Sequence, residues 1–454
     1  MLIMDINNTG RLLNEAPVFF VDKNKEITDE LISELIQKHQ NAVGRYDYLL
    51  RLYKNHAPIF FADSKERFKP DNRVGVPFGK YIIDTFCGYF NGIPIRKKHK
   101  SEPYLQKIKD FDAANNVEKL EATLLKEACI YGHAFEYMYQ TETAETKSIN
   151  ISPKEIFIVY TKEIIPQPYM AIYYGVDKQK KTGYIITLDE IKAFEETHGE
   201  IKIVDQKINP YNHLPVTEWV LNDERIGLIE PITSLINSYN KVLSEKANDV
   251  EYFSDAYLSI LGAELDEKTI EKIGDNRIIN LFGGDTSKTV VEFLDKPDSD
   301  SQTENQLDRL ERLIYHTAMV ANISDENFGN ASGVSLAYKM QAMSNLALSV
   351  QRNFQSSLDK RYELFSSLRT NVSDVESGEW KNLEYVFTRN EPKNLLEESQ
   401  VAAQLIGITS NETALSVLSM VSDVGVEMEK IKKEKPNTMD YELGGQNEQQ
   451  DLLA

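Results

Sequence analysis

The sequence predicts an α+β protein that is mainly α-helical and elongated, and three observations lead to this fold class. First, the segment Ile226–Leu368 carries apolar residues at helical spacing over unusually long stretches. Second, apolar and polar residues alternate in short segments between Ala134 and Leu221, which is typical of strands. Third, the 454 residues include only 22 glycines and 15 prolines, so the chain is mostly regular structure with few long linkers.

Composition and charge limit the classes of function. The chain has 71 acidic and 51 basic side chains, which gives a net charge of −20 at pH 7. A protein that grips DNA by its phosphates needs a basic surface, so this chain as a whole should repel polyanions. Nucleic acid that passes nearby without sticking remains compatible with this charge. The hydrophobic fraction of 41% indicates a globular protein, and the length allows about three domains.

Cysteine usage and apolar segments bear on the compartment. Cys87 and Cys129 lie in apolar helical patterns and are too isolated for a disulfide framework or a zinc site. We expect buried free thiols in a reducing compartment. The N-terminus lacks the pattern of a secretory signal, and the longest apolar segment, Tyr81–Phe90, is interrupted by Asp84. That segment is far shorter than the ~20 residues that cross a bilayer. These features predict a soluble, intracellular protein.

The N-terminal half is predicted to begin with helices and to continue with strands. Residues 1–26 are expected to form an irregular arm, and Asn72–Phe78 a short extended piece. The predicted helices are Thr28–Lys54, Phe78–Phe90, a segment around Leu105–Phe111, and Val117–Tyr131. Gly132 ends the last of these, and the period then changes towards two. The predicted antiparallel strands are Ala134–Tyr139, Glu155–Tyr160, Tyr169–Tyr174, Gly183–Leu188, Ile201–Asp205 and Val216–Leu221.

The central segment is predicted to consist of three helices, an insert and a loop. In chain order these are the helix Gly227–Leu258, the insert Ser259–Asp300, a helix that opens with the capping box Ser301–Glu304, the loop Asn322–Ser335, and a helix from near Ser335 to Leu368. The first and third helices would span roughly 45 and 50 Å at 1.5 Å per residue. Such lengths predict an elongated protein or one that packs against copies of itself. Within the insert we expect a short helix, Asp266–Ile273, and two strands, Arg277–Phe282 and Thr289–Phe293.

The C-terminal part is predicted to contain one strand, three helices and a tail. The strand is Glu379–Phe387, and the helices are Lys393–Ile406, Thr413–Val421 after a capping box at Thr409–Glu412, and Asp423 to Pro436. The residues from Asn437 to Ala454 are polar, acidic and rich in glutamine, which predicts a disordered tail.

Four short motifs could carry chemistry, and each has a plainer interpretation. Phe282–Lys288 resembles a phosphate loop, but strand-like residues follow it instead of a helix, so we interpret it as a hairpin turn. Cys129 and His133 have a metal-ligand spacing without a second pair. The acidic pair Asp223-Glu224 is interpreted as a solvated loop before a helix. The basic run Arg96–Lys100 is likewise interpreted as a solvated loop. No catalytic residue, cofactor site or metal site is therefore predicted.

The loop between the second and third central helices is harder to dismiss. Its residues from Asn322 to Ser335 include two glycines and several short polar side chains, which give conformational freedom, and one aromatic, Phe328. It is either a plain connection between helices or a mobile element that touches a partner. The residues alone leave both interpretations open.

The order of elements and several local motifs resemble the portal proteins of tailed bacteriophages, of the type found in long-tailed phages of Gram-positive hosts. One motif is the entry helix Asn72–Pro94, which ends in Gly88-Tyr-x-x-Gly-x-Pro94. The other similar stretches are Ala128–Tyr137, Ile151–Ile156, His213–Glu218, Asn330–Ala337, Phe387–Asn394, Gly407–Thr413 and Val421–Glu427. Each motif is weak alone, but their order is specific, and the resemblance covers about residues 30 to 435.

The resemblance implies a portal-like subunit with a β-containing wing, long stem helices, a small α/β clip and a helical crown. The implied parts are a wing (1–225), a stem helix (226–258), the clip (259–300), a second stem helix (301–321), a tunnel loop (322–335), a long wing helix with a return strand (336–392), the crown (393–436) and the acidic tail (437–454). The implied DNA-facing residues of the tunnel loop are Asn327, Phe328, Gly329, Asn330, Ala331, Ser332 and Gly333.

The resemblance also implies a function and partners. The family forms a ring, a dodecamer, at one capsid vertex, and double-stranded DNA enters and leaves through its channel. A separate terminase motor drives packaging, so the absence of a phosphate loop agrees with a protein that is not an enzyme and has no cofactor. Implied partners are head-to-tail connector proteins and capsid and scaffold proteins, with no membrane. The implied location is the virion, after assembly in the host cytoplasm.

Two other classes of function remain open at this point. One is a non-portal capsid or scaffold protein with long helices, which would lack a ring with an axial hole. The other is a metal-dependent nuclease, for which the sequence nominates no particular carboxylate.

Overall fold

The structure is a computed structural model that describes residues 17–23, 25–65, 69–177, 180–197, 199–254, 258–261, 290–293, 300–323, 333–391, 395–418, 420–421 and 424–434. The chain divides into two compact units. One comprises residues 1–331 and 335–389, and the other comprises residues 332–334 and 390–454. Helices and strands both occur in the larger unit, which confirms the predicted α+β class.

The helices within the described ranges are α1 Asp29–Tyr53, α2 Phe78–Asn91, α3 Glu102–Asn115, α4 Val117–Tyr131, α5 Thr233–Ser254, α6 Asp300–Ala318, α7 Gly333–Ser366, α8 Leu395–Leu405, α9 Asn411–Ser416 and α10 Val424–Glu434. Short 3-10 helices occupy Pro58–Phe61, Glu230–Ile232 and Glu379–Asn382. The N-terminal helices lie where the sequence predicts them. Thr28 caps α1 by accepting the N–H of Leu31 at 3.3 Å, and Gly132 ends α4 with a φ of 91°.

The strands within the described ranges are β1 Phe19–Val21, β2 Arg96–Lys98, β3 His133–Gln140, β4 Thr146–Ile151, β5 Ile156–Thr161, β6 Pro168–Asp177, β7 Lys180–Ile186, β8 Glu190–Thr197, β9 Glu200–Ile208, β10 Val216–Val220, β11 Leu258–Leu261, β12 Val290–Phe293 and β13 Glu384–Val386. The largest sheet has the order β1-β5-β6-β7-β8-β9, in which only β1 pairs in parallel. A three-stranded sheet has the order β10-β3-β4.

The strands β1, β2, β4, β8 and β11 were not predicted, and three of them illustrate the reason. The expected irregular arm contains β1, which is only three residues long and needs β5 to be recognised as a strand. The strand β4 begins with three consecutive polar residues, Thr146 to Ser148, and is rich in serine, asparagine and threonine. The strand β8 carries four charged side chains and pairs with β7 and β9 on both sides. Pairing partners distant in sequence therefore override weak local propensity.

The central helices differ from the prediction at their ends. The helix α5 stops at Ser254 instead of Leu258, because residues 258–261 form β11, which pairs antiparallel with β12. The predicted strand Thr289–Phe293 is confirmed as β12, whereas the predicted short helix and the other strand of the insert lie outside the described residues. The helix α6 begins at Asp300, so Ser301 lies inside the first turn and the predicted capping box is wrong.

The C-terminal elements also need two corrections. The predicted strand Glu379–Phe387 is a 3-10 helix followed by the three-residue β13, which pairs with β2. In the smaller unit, Ser410 rather than Thr409 caps α9, because its hydroxyl accepts the N–H of Thr413 at 3.2 Å. That helix ends at Ser416 instead of Val421. The predicted tail lies outside the described residues.

The main hydrophobic core joins α2, α4 and α7. The stripe of α7 was predicted from its periodicity, and Met340, Met343, Ala347, Val350, Phe354, Leu358 and Phe365 are all buried. The ring of Phe354 packs edge-on against Trp219 of β10 and against Phe90 of α2, with centroid separations of 5.0 and 5.5 Å. A second core lies between α1 and the six-stranded sheet. The long helix is therefore a structural axis of the larger unit.

Candidate functional site

The helices α5 and α6 lie side by side and pack against α2 through aromatic side chains. The ring of Phe78 packs edge-on against Tyr239 of α5 at 4.9 Å and against Tyr315 of α6 at 5.9 Å. Tyr81 makes a further edge contact with Tyr315 at 5.7 Å. Lys246 of α5 bonds Asp300 at the start of α6 at 3.1 Å. The pair is thereby held at several points along its length.

An extended segment, residues 72–76, is bound along one face of α5. Its alternate N–H groups donate to side chains spaced four residues apart on the helix, at 2.6, 2.9 and 2.9 Å. These pairs are Asn72 with Asn248, Val74 with Ser244, and Val76 with Asn240. Because the three acceptors are buried, they replace the hydrogen bonds that the segment would otherwise make in a sheet. This explains why the predicted extended piece is ordered without a partner strand.

A cluster of charged side chains, which we name the junction cluster, lies where β10 leads into α5. It consists of Arg45, His133, Glu218, Arg225 and Glu230. Arg45 is fully buried and forms a two-pronged ion pair with Glu230, with N–O distances of 2.7 and 2.5 Å. It also donates to the carbonyl of Arg225 at 2.9 Å. These bonds fix the entry of α5 against α1.

Glu218 is the most heavily bonded acceptor of the junction cluster. It accepts from His133 Nδ1 at 2.7 Å, from Arg225 at 2.7 and 2.8 Å, and from the Tyr160 hydroxyl at 2.5 Å. Burial alone would raise the pKa of this carboxyl, but the bonds from His133 and Arg225 outweigh it and hold the pKa well below its usual range. Burial lowers the pKa of His133. The carboxylate is therefore kept charged inside the protein.

The backbone at this junction leaves no room for larger residues at two glycines. A Cβ on Gly132 would lie 1.9 Å from the carbonyl oxygen of Arg225, and one on Gly227 would lie 2.4 Å from that of Ile130. Gly132 also has a positive φ of 91°, which other residues rarely adopt. The segment that leads into α5 is thus packed directly onto the end of α4.

A second buried charged group fixes α7. Arg361 has no exposed surface and bonds Glu121 of α4 at 2.7 Å and Glu136 of β3 at 2.9 and 3.0 Å. Its guanidinium lies 4.6 Å from the ring centroid of Trp219, whose N–H also donates to Glu136 at 2.9 Å. Lys97 reaches the same Glu121 at 3.0 Å. The long helix is therefore joined to α4, β3 and β10 by charge as well as by packing.

The basic run Arg96–Lys100 does not match its predicted interpretation as a solvated loop. Arg96–Lys98 is the strand β2, which pairs with β13. The Lys97 side chain is 8% exposed and bonds both Asp112 and Glu121, so burial between carboxylates explains its position. In contrast, Asp223 and Glu224 are exposed in a turn before α5, as predicted.

Six of the predicted tunnel-loop residues, Asn327, Phe328, Gly329, Asn330, Ala331 and Ser332, lie outside the described residues. The seventh, Gly333, is the first residue of α7, two positions earlier than the predicted start. On the other side, α6 ends at Ala318, and Met319 adopts a positive φ of 57°. The N–H of Ile323 then donates to the Tyr81 hydroxyl at 3.0 Å, so α2 also anchors the start of the loop.

Neither a metal-binding cluster nor a membrane-spanning helix occurs in the part of the chain that the structure describes. Within the described ranges, no group of three or more His, Cys, Asp or Glu side chains could hold a metal ion. His133 bonds Tyr46 and Glu218, whereas the Cys129 sulfur lies near Cys87, so the pair spaced for a metal is divided between two environments. No described helix is long and apolar enough to cross a bilayer.

The buried charges were not predicted from the sequence. Their signal is a charged residue on an apolar helical face. Arg361 lies three residues after Leu358 and four before Phe365, and Arg45 precedes the buried Tyr46. Such a pattern indicates a buried ion pair, but the carboxylate partners come from segments up to 240 residues away.

The comparisons with known proteins give the class of this framework of long helices. A family model of phage portal proteins matches residues 32–441, so the chain belongs to the phage portal protein family. Within this class the matching type is the SPP1 Gp6-like portal protein. The non-portal structural alternative is thereby set aside.

Individual proteins are also similar to this chain. The chain is 23% identical over 404 residues to a portal protein of Clostridium phage phiCD119, covering 80% of this chain and 85% of that protein. Among solved structures, a chain from the neck of an empty gene transfer agent particle is 13% identical, with a TM-score of 0.44, covering 76% of this chain and 90% of that one. A chain from the virion of the native particle is 12% identical, with a TM-score of 0.44 and coverages of 82% and 92%.

Proposed function

We propose that copies of this chain form a closed ring at one vertex of a phage capsid, and that double-stranded DNA enters and leaves through the axial channel of the ring. The family match over residues 32–441 carries this proposal. The chain is then a structural conduit rather than an enzyme, and a separate terminase motor supplies the energy for packaging. A dodecamer is the expected assembled form.

We assign the predicted parts of the portal subunit to the observed elements. The wing (1–225) contains α1 to α4 and the strands β1 to β10, the stem consists of α5 and α6, and α7 is the long wing helix. The clip (259–300) includes β12 and most of β11. The crown (393–436) contains α8 to α10. In this assignment the junction cluster joins the wing to the stem.

The charge of the protein supports passage of DNA without tight binding. The net charge of −20 gives long-range repulsion of a polyanion, which keeps sliding friction low. The tunnel loop, residues 322–335, is the proposed contact with DNA. Such contacts would depend on shape and mobility rather than on base recognition.

The positions of the clip and the wing suggest the remaining partners. The clip would bind head-to-tail connector proteins, and the outer wing would meet capsid and scaffold proteins. The proposed site of assembly is the host cytoplasm, before the particle is complete.

The direct test is the assembly state of the purified chain and of the particle. We expect electron microscopy to reveal rings with an open axial hole, and native mass spectrometry to give a whole-number multiple of the 51.9 kDa chain. The vertices of isolated particles provide the decisive count of subunits. A chain that stays monomeric and is absent from the vertex of isolated particles would overturn the proposal.

A further inference from the structure

The two cysteines, which the sequence places in separate helices, are in contact. Cys87 lies on α2 and Cys129 on α4, 42 positions apart, and their sulfur atoms are separated by 3.9 Å. Both are free thiols. Cys129 has no exposed surface, whereas Cys87 is half-buried. The predicted free thiols are confirmed, and the packing of α2 on α4 brings them together.

The position of this thiol pair matters for the stem helices. The helix α2 carries Phe78 and Tyr81, on which α5 and α6 rest. The carbonyl of Cys129 itself accepts the N–H of Leu228 at 2.8 Å, in the segment that leads into α5. A covalent bond between the thiols would join α2, on which α5 and α6 pack, to α4, which hydrogen-bonds the segment that leads into α5.

We propose that Cys87 and Cys129 are a latent disulfide site that takes a low-molecular-weight disulfide, such as oxidised glutathione, as its oxidant. The bond would lock α2 to α4 when a particle leaves the reducing interior of a cell for an oxidising medium. The site itself stands on the contact between the sulfur atoms. Its timing rests on the proposed function of the chain in a virion.

The chemistry is two successive thiol–disulfide exchanges. Cys87 loses its proton to solvent, attacks one sulfur of oxidised glutathione and releases the other half as glutathione thiolate. The Cys129 sulfur then attacks the Cys87 sulfur of the mixed disulfide, releases the second glutathione thiolate, and gives its proton to that leaving group. Two protein thiols are oxidised, and one glutathione disulfide is reduced to two thiols.

Accessibility fixes the order of these steps. Only Cys87 has exposed surface, so it must meet the oxidant first. Burial raises the pKa of the Cys129 thiol, which makes this residue a slow direct nucleophile and protects it from external reagents. Closure requires the sulfur atoms to approach from 3.9 Å to the disulfide bond length of about 2.05 Å. This closure requires rotation of the two side chains about their Cα–Cβ bonds.

The experiment is incubation of the purified full-length chain with oxidised glutathione at pH 8, followed by non-reducing peptide mapping and intact-mass measurement. We expect a peptide pair joined through Cys87 and Cys129 with no retained glutathione. The apparent Tm should rise by about 2–4 °C and return to its starting value after reduction.

Matched variants separate the two steps. Cys129→Ser should stop at a stable glutathione adduct on Cys87, and Cys87→Ser should remain unmodified. If the wild-type chain also retains the adduct, joins two chains through Cys87, or fails to react, the proposal is overturned.

A measurement on particles tests the proposed timing. After unfolding in denaturant, both cysteines of particles harvested from medium should resist alkylation until they are reduced, whereas those of protein taken from cells under acid quench and unfolded in the same way should be alkylated. Free thiols in released particles would overturn the timing. Because the oxidation assay reads the chain regardless of its assembly, failure to form rings would be recorded separately by microscopy.

Discussion

Arg361 and Arg45 are arginine side chains without exposed surface, and each is surrounded by groups that require its charge. Around Arg361 these are the carboxylates of Glu121 and Glu136, which are 1% and 2% exposed. Removing the cation would leave two buried negative charges close together. Replacing both partners of a buried ion pair with apolar residues often changes stability little. Removing only one partner is costly, because the other charge stays buried without compensation.

We predict that Arg361→Met destabilises the larger unit by about 3–5 kcal/mol, measured by denaturant unfolding. Methionine retains much of the packing volume, so the loss reports the uncompensated carboxylates. The matched control is Arg369→Met, because Arg369 pairs with Asp374 on the surface with its side chain 85% exposed. That change should have no measurable effect. Equal stabilities of the two variants would contradict the role given to Arg361.

The buried His39 predicts a pH dependence. Burial lowers the pKa of His39 to about 4, and the neutral ring bonds the Tyr174 hydroxyl at 2.7 Å and the Pro153 carbonyl at 2.9 Å. The unfolded chain takes up a proton near pH 6.5, whereas the folded chain resists it until about pH 4. Stability is therefore lost as pH falls through this window, by about 2 kcal/mol from this group at pH 5.

The measurement is unfolding at pH 7 and pH 5 for the wild type and for His39→Gln, which retains a polar side chain but does not titrate. We expect the variant to be less stable at pH 7 and to lose less stability on acidification. A residual slope is expected because burial also lowers the pKa of His133. Identical pH slopes for the two proteins would show that His39 does not govern this loss.

At the scale of elements, the success of prediction depends on whether the signal is local. The helix α7 was predicted because its apolar stripe repeats over many turns, and α4 because Gly132 marks its end. The strand β13 is only three residues long, and it is defined by pairing with the distant β2, where Tyr385 lies opposite Lys97. The family resemblance identified the portal class, but the junction cluster depends on partners that no local pattern reveals.

The tunnel loop provides a prediction at this scale. If mobility of the loop is needed for contact with DNA, Asn330→Pro should reduce DNA packaging, measured as filled heads per particle, while rings still assemble. Proline restricts both its own φ and the conformation of the preceding residue.

The structure supplies a matched control for this prediction. Gly333 belongs to the proposed tunnel loop, but it is the first residue of α7, so its backbone is already helical. Proline is tolerated there because its missing N–H has no helical partner. We therefore expect Gly333→Pro to package DNA at close to the wild-type level. Equal packaging by Asn330→Pro and the wild type would rule out a mobile DNA contact in the loop.

At the scale of the whole molecule, the net charge affects the binding of DNA, whereas a local surface would attach the connector protein. The negative charge is spread over the chain and disfavours tight binding of DNA, whereas attachment of a connector requires a defined surface. The insert between β11 and β12 is the proposed clip. It contains a short run of acidic residues, Glu264, Asp266 and Glu267.

We predict that replacing these three residues with lysine blocks attachment of the connector but leaves ring formation intact. Reversed charges should repel a complementary surface and slow its association. Microscopy of particles would then reveal filled heads without tails, or heads that leak DNA. The control is charge reversal at Glu142 and Glu145, in the turn between β3 and β4, which should leave tailed particles unchanged. Normal tail attachment by the insert variant would contradict the clip assignment.

The pairing of β2 with β13 also constrains the order in which the chain folds during synthesis. Residues 96–98 meet residues 384–386, so this two-stranded sheet cannot close until most of the polypeptide has left the ribosome. Arg361 imposes a similar delay, because Glu121 and Glu136 have no cationic partner until this residue, about 240 and 225 positions downstream, is synthesised. Contacts of such long sequence separation slow folding and leave early segments exposed to misassembly. A nascent chain that has not yet reached α7 would therefore lack the axis of its larger unit. It would depend on chaperones until synthesis is nearly complete.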